Sequence, residues 1–251
     1  MKIRFLGTGT STGVPEIGCK CEVCSSSDFR DKRLRSSVLL RTEGKNILLD
    51  CGPDFRQQVL TAGTDTLDAL LLTHEHYDHV GGIDDLRPFC KCNKLPVYAE
   101  TSTVQKLRER MPYCFVDVSY PGVPQLELVG IENKPFAAAG ILFVPIRLMH
   151  YKLPVFGYRT GNFAYLTDFK IIPEGEYDKL QNLDVLIIDA LRKKEHISHE
   201  NINQALAQIE RIRPKRAYFI HMSHHFGLHR EMEHLLPDNV FLPYDGLEIE
   251  C

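Results

Sequence analysis

The chain has 251 residues, with 30 Lys+Arg against 33 Asp+Glu, and a formal net charge of −3. Its 43% hydrophobic and 25% charged residues exclude a mostly disordered chain, and slight acidity argues against general nucleic-acid affinity. At this length one domain buries roughly 70–75% of its unfolded surface without a disulfide staple, and no stretch approaches the ~20 apolar residues that cross a bilayer.

The opening run Met1-Lys2-Ile3-Arg4-Phe5-Leu6-Gly7 is too short for a secretory signal and reads as a strand entering a turn, so a cytoplasmic location is expected. A glycine-rich entry, Gly7 to Gly13, follows; its backbone can offer N–H groups to a phosphate or simply turn. Three cysteines then crowd together at Cys19, Cys21 and Cys24. In an intracellular chain such spacing points to metal or reduced thiols rather than a disulfide framework, as does the later pair Cys90 and Cys92. Arg30, Lys32, Arg33 and Arg35 read as a solvated face. Short β-rich runs bounded by turn residues predict strands at Lys2–Leu6, Ser37–Arg41, Asn46–Leu49, Ala69–Thr73, Pro96–Ala99, Ile141–Leu148, Phe163–Thr167, Val185–Ile188 and Arg216–Ile220. Between them, Asp54 is expected to cap a helix with Phe55, Val59 and Leu60 inward, and Thr101 one running to about Met111. Ser198 opens a third, whose Ile202, Leu206, Ile209 and Ile212 mark one apolar face before Pro214 stops it. No repeat or linker divides the chain. One domain over residues 1–251 is expected, of α+β class, with sheets covered by helices.

Several apolar runs end in one ionisable residue. Ile47-Leu48-Leu49 precedes Asp50, Leu70-Leu71-Leu72-Thr73 precedes His74, and Leu148-Met149 precedes His150. Leu166-Thr167 precedes Asp168, Leu186-Ile187-Ile188 precedes Asp189, and Tyr218-Phe219-Ile220 precedes His221. One Asp after a strand only makes a turn. Six endings alternating His and Asp place those groups along one sheet edge, where ligands commonly collect.

The decisive segment is Thr73-His74-Glu75-His76-Tyr77-Asp78-His79-Val80-Gly81-Gly82. In an extended loop, residues two apart face the same way about 6–7 Å apart, so His74 and His76 can share an ion. Gly81 and Gly82 then let the chain turn, and Asp78 and His79 can aim at a second. His150 can complete the first site and His221 the second, with Asp168 bridging both. Imidazole and carboxylate without thiolate suit zinc, manganese or iron. Two bridged ions can hold a hydroxide that attacks a phosphodiester in line. The leaving alkoxide needs a proton, for which His196 and His199 are candidates; His199 is preferred, oriented directly or through its loop by Asp189. Asp78, Asp189 and His199 are thus the candidate catalytic groups.

The motif and the later ligands His150, Asp168 and His221 resemble the metallo-β-lactamase superfamily through essentially the whole chain. The resemblance implies a four-layer αββα sandwich with a dinuclear site at one edge, and it gives Asp50 the role of supporting the metal loop. The glycine-rich entry, Cys19-x-Cys21-x2-Cys24, a late helix-start His and His221-Met222-Ser223-His224 narrow it to PhnP-type phosphodiesterases, of the carbon–phosphorus lyase pathway and related branches. It implies hydrolysis of cyclic phosphates of ribose and nucleotides, two divalent metals (zinc or manganese), and acid catalysis at His199. It also implies one structural zinc on Cys19, Cys21, Cys24 and His224, chosen over His225. Such relatives commonly dimerise, so a homodimer is carried as a partner state.

The expected partner is a small phosphate ester, with nucleic acid entering only as a small nucleotide and no membrane involved. Three alternatives stand beside it: a ribonuclease Z-like endonuclease, for which no basic arm is evident; a lactone or thioester hydrolase; and an inactive metal-binding protein. No residue set for acyl transfer to lipoate is present.

Overall fold

The computed structural model describes residues 1–90, 93–115 and 122–251. Cys92 lies outside them, so the Cys90/Cys92 pair is not placed. In chain order the strands are β1 (Lys2–Gly7), β2 (Ser37–Thr42), β3 (Lys45–Leu49), β4 (Ala69–Leu71), β5 (Leu95–Glu100), β6 (Leu126–Ile131) and β7 (Phe136–Ala138). There follow β8 (Ile141–His150), β9 (Leu153–Thr160), β10 (Phe163–Leu166), β11 (Val185–Asp189), β12 (Arg216–Ile220), β13 (Val240–Phe241) and β14 (Glu248–Glu250). They form two seven-stranded sheets, ordered β14-β1-β2-β3-β4-β5-β6 and β13-β12-β11-β10-β9-β8-β7.

The two-residue period of the strands builds the layers. Val38, Leu40, Ile47 and Leu49 of the first sheet meet Phe143, Tyr158, Phe163, Tyr165 and Ile187 of the second in a fully buried inner core. The alternate residues face outward. Leu39, Leu48 and Leu70 pack under Phe55, Val59 and Leu107 of the Phe55–Ala62 and Thr101–Arg110 helices. Leu186, Ile188 and Phe219 pack under Ile202, Ala205, Ile209 and Ile212 of the Ile202–Ile212 helix. Strands covered on both faces must be apolar on both, which is why their sequences run continuously hydrophobic. The result is the four-layer αββα sandwich. No helix among the described residues is long and apolar enough to cross a membrane.

Direction of the strands decides where the polar chain ends collect. From β3 to β6 the pairings are parallel, and from β10 to β13 likewise. β8 runs antiparallel to β9, which runs antiparallel to β10, so β8 also points the same way as β10. Their carboxyl ends therefore share one edge. There the sheets are joined directly: Phe156 N–H donates to the Thr73 carbonyl at 3.1 Å and the Tyr158 hydroxyl to the Leu72 carbonyl at 2.6 Å.

Several local expectations change. Leu60 is 66% exposed, since the Phe55–Ala62 helix lays only Phe55, Gln58, Val59 and Ala62 on the sheet. Asp54 stands at its start but gives its carboxylate to Arg35, through the backbone N–H at 2.8 Å and the guanidinium at 2.9 Å. Glu100 rather than Thr101 precedes the second helix. The third begins at Ile202, not Ser198, because Asn201 and Gln204 close a reciprocal capping box. Arg33 is buried, donating to Thr8 Oγ1 and the Pro243 carbonyl, each at 2.8 Å, instead of facing solvent. The N–H groups of Thr8, Gly9, Thr10 and Gly13 donate to Asp245, Leu34, Met222 and Thr10, so none of the four is free for a phosphate.

Phe163 fills the inner core at zero exposure. Phe163→Ala is expected to lower the unfolding free energy by about 3–5 kcal/mol in a urea titration, while Leu60→Ala should change it by less than about 0.5 kcal/mol.

Candidate metal centre

The ligand loop is shaped by contact with the turn after β3. His74 leaves β4 through Thr73, His76 is still extended, and Tyr77–Val80 forms a single helical turn that brings Asp78 and His79 back toward the sheet. Gly81 ends that turn in ordinary right-handed conformation, φ −64°, so it does not supply the expected special turn. The glycines serve close approach instead. A Cβ on Gly82 would stand 2.2 Å from the Gly52 carbonyl oxygen, and one on Gly52 would stand 2.1 Å from that of Asp78. Backbone bonds lock this contact: Cys51 N–H to His79 O at 2.8 Å and Gly82 N–H to Cys51 O at 2.9 Å.

Asp50 is buried at the centre. Its Oδ1 accepts from the Thr73 N–H at 2.9 Å and the Thr73 hydroxyl at 3.0 Å. Its Oδ2 accepts from His79 Nδ1 at 2.8 Å and the Tyr165 hydroxyl at 3.2 Å. With the His79 proton on Nδ1, the lone pair of Nε2 points the other way, toward Asp78 Oδ2 at 3.2 Å and Asp168 Oδ2 at 3.1 Å. Neither contact has hydrogen-bond geometry, and Nε2 is buried without a partner. A lone pair facing two carboxylates is repulsive unless a proton or a cation sits between them. Burial opposes a charge on His79, but Asp168, Asp78 and Asp50 hold its pKa well above the usual imidazole range. Burial also opposes charge on Asp78 and Asp168, and the neighbouring imidazoles hold both well below the carboxylate range.

The second expected set closes on this point. Asp78, His79, Asp168 and His221 bring one donor atom each within 4.8 Å of one another, all buried. His221 Nε2 lies 3.4 Å from Asp78 Oδ2 and 3.2 Å from Asp168 Oδ1. Asp168 thus turns one oxygen to His79 and the other to His221, and His150, Asp168 and His199 form a further donor group. The first expected set is looser. Ring centroids stand 4.5 Å apart for His74–His76, 5.2 Å for His76–His150 and 5.7 Å for His74–His150. His74 Nε2 is buried without a partner, and burial lowers the pKa of both His74 and His150, the latter to about 4. Neutral imidazoles with inward lone pairs have the donor chemistry of a divalent cation site.

His199 adjoins both groups. It is 7% exposed, its Nδ1 is 3.0 Å from Asp189 Oδ2, and its Nε2 is 4.0 Å from Asp168 Oδ1. Burial disfavours its charge, but Asp189 outweighs burial and moves the pKa up to about 8. Its ring stacks on His221 at 4.8 Å, and Lys170 donates to its carbonyl at 3.2 Å. His196, the other acid candidate, stands 5.2 Å away ring to ring, with its Nδ1 on Ser198.

Apart from this edge, Cys19, Cys21 and Cys24 surround His224, with sulfur to Nδ1 distances of 3.2, 3.4 and 3.5 Å. Zn–S of about 2.3 Å and Zn–N of about 2.0 Å at tetrahedral angles give an edge of about 3.5 Å, so the four residues fit a closed site. The Cys24 N–H lowers the Cys21 thiol to about 6, as a metal-binding thiolate needs, while burial raises Cys24 to about 11. His225 is exposed and outside the cluster. Tyr165 and Lys170 belong to the site without having been anticipated, and Thr73, which opens the motif segment, had been given no role.

A profile of the beta-lactamase superfamily domain matches residues 45–222, well over half of the chain. The chain belongs to that family. A crystal structure of a diphosphatase from the PhnP family superposes with a TM-score of 0.92 at 39% identity, covering 99% of this chain and 96% of that one. Zinc-bound PqqB from Methylobacterium extorquens shares the fold, with a TM-score of 0.84 at 19% identity over the whole of both chains. An octanoyltransferase of Porphyromonas gingivalis is 49% identical over 251 residues, covering 99% of this chain but 51% of the relative. The chain therefore spans about half the length of that curated relative.

Asn tolerates the left-handed backbone that Asp50 adopts, φ 60°. Asp50→Asn should therefore fold, yet bind divalent metal roughly 10–100-fold more weakly. Competition with a chromophoric chelator measures this.

Proposed function

We propose that the protein is a dinuclear-metal-dependent phosphodiesterase acting on small or cyclic phosphate esters. His74, His76, His150 and Asp168 would hold one ion, and Asp78, His79, His221 and Asp168 the other. Cys19, Cys21, Cys24 and His224 would hold a structural zinc. Zinc and manganese both suit the imidazole–carboxylate set. Divalent ions bound there supply Lewis acidity toward a phosphoryl oxygen and make water ionise near neutral pH.

One observation carries the reading: a buried imidazole, braced by a buried carboxylate at 3.0 Å, with its other nitrogen 4.0 Å from Asp168 Oδ1. Asp189 accepts from His199 Nδ1 and favours the imidazolium, whose second proton, on Nε2, is then available to a leaving alkoxide. A phosphodiester needs such an acid, because alkoxides leave poorly unprotonated. The PhnP-family diphosphatase, at 39% identity over nearly the whole chain, supports phosphoryl chemistry. The octanoyltransferase name belongs to a protein about twice as long, and the imidazole–carboxylate groups at the sheet edge contain no cysteine to carry an acyl group.

His199→Ala should lower kcat on bis(p-nitrophenyl) phosphate by about 10²–10⁴-fold with metal content unchanged. An acid must be protonated, so wild-type turnover should fall as pH rises through its pKa, and this limb should vanish in the variant. His196→Ala should leave kcat within about twofold. Loss of metal in His199→Ala, or faster turnover of lactones than of phosphodiesters by the wild type, would overturn the assignment.

A further inference from the structure

The ligands His74, His76 and His150 sit on two separate segments, and one other segment grips both. Thr103, Lys106 and Arg110 are spaced by three and four residues, so they share one face of the Thr101–Arg110 helix. All three reach Glu75, the residue between His74 and His76. Thr103 Oγ1 donates to Glu75 Oε2 at 3.3 Å, Lys106 Nζ donates to Oε1, and Arg110 donates to the Glu75 carbonyl at 2.6 Å. Glu75 is buried, and a buried carboxylate is tolerated only when paired. Its side chain and its carbonyl are both held, so the peptide units that aim the flanking imidazoles are held too.

The start of the same helix grips the other segment. Glu100 takes a two-pronged contact from Arg147, at 2.9 and 2.6 Å. Arg147 lies three residues before His150 on β8, and its guanidinium covers the Phe156 ring at 4.1 Å. Phe156 in turn donates its N–H to Thr73, next to His74. The ligands Asp78, His79, Asp168 and His221 are braced differently. Side-chain contacts on these come from Asp50 on His79, Thr167 on Asp168, and Asp189 at 3.8 Å from His221, and none comes from the Thr101–Arg110 helix among the described residues; Asp50 also touches Thr73, whose hydroxyl lies 2.9 Å from His74 Nδ1.

We infer that Glu100 to Arg110 is a strap that positions the three histidine ligands of one metal site and none of its neighbour's ligands, the shared Asp168 included, with Glu75, Lys106 and Glu100 as positioning residues. The inference rests on the dinuclear reading above. It makes the two ions unequal: loosening the strap weakens one and spares the other.

Manganese(II) titration of the metal-free full chain, followed by electron paramagnetic resonance, tests it. Wild type should fill both sites and give a spin-coupled pair. Lys106→Met should hold one ion with unchanged affinity and the second roughly 10–100-fold more weakly, leaving an isolated six-line signal where the wild type shows coupling. Lys106→Arg should restore the pair. If Lys106→Met fails to fold by circular dichroism, Glu100→Gln releases the other end of the strap and should give the same single-ion signature. Equal weakening of both ions, or no weakening in a folded variant, would overturn the inference and leave the dinuclear reading intact. Wild type that takes up no manganese pair would end that reading, and the strap with it.

Discussion

At the shared edge of the two sheets, the imidazole of His79 lies among three carboxylates: Asp50 accepts from one nitrogen while Asp78 and Asp168 confront the other. Everything around it follows from the need to balance that charge without water. Isolated, the carboxylates would be expensive to bury, and the imidazoles would waste their lone pairs. Together they make a set that a small divalent cation satisfies. Packing alone would not assemble it. The parallel runs β3–β6 and β10–β13 deliver the groups to one place, because parallel strands finish on one side.

Backbone geometry adds a cost at the same positions. Asp50, Asp168 and His221 each adopt left-handed conformation just past a strand, with φ of 60°, 54° and 62°. A non-glycine residue there costs about 1–3 kcal/mol and persists only where its surroundings impose it. Here the surroundings are rigid. Asp50 is tied by Thr73, Tyr165 and His79, and Asp168 by the Thr167 hydroxyl at 2.7 Å. Three residues leave their strands in the same rare conformation and meet within one cluster, so backbone strain is concentrated at the edge that carries the ionisable groups.

Much of this was legible in the sequence. Sheets covered by helices followed from short apolar runs interspersed with helical periodicity, the four αββα layers from the family resemblance, and the residues at the strand ends named the edge. What stayed hidden has physical causes. β9 contains Pro154 and Gly157, which break the strand pattern, while β7, β13 and β14 are too short to show a period and hold by pairing with neighbours. Arg33 looked like solvated charge because nothing local tells that Thr8, Pro243 and His229 will surround it. Gly82 read as a turn former, yet its part, with Gly52, is to let two loops touch. Ser198 was a good cap by type, but the reciprocal bonds of Asn201 and Gln204 three residues later outcompete it.

The hairpin turns offer a contrast. Glu43-Gly44 joins β2 to β3, Ala139-Gly140 joins β7 to β8, and Gly161 lies between β9 and β10. Since β3, β8 and β10 finish beside the ligands, the turns that begin them lie at the opposite pole. The molecule is therefore polarised: one pole carries the ionisable cluster, while the other, one strand length away, is where reporter peptides or dyes spliced into the turns would leave that cluster undisturbed.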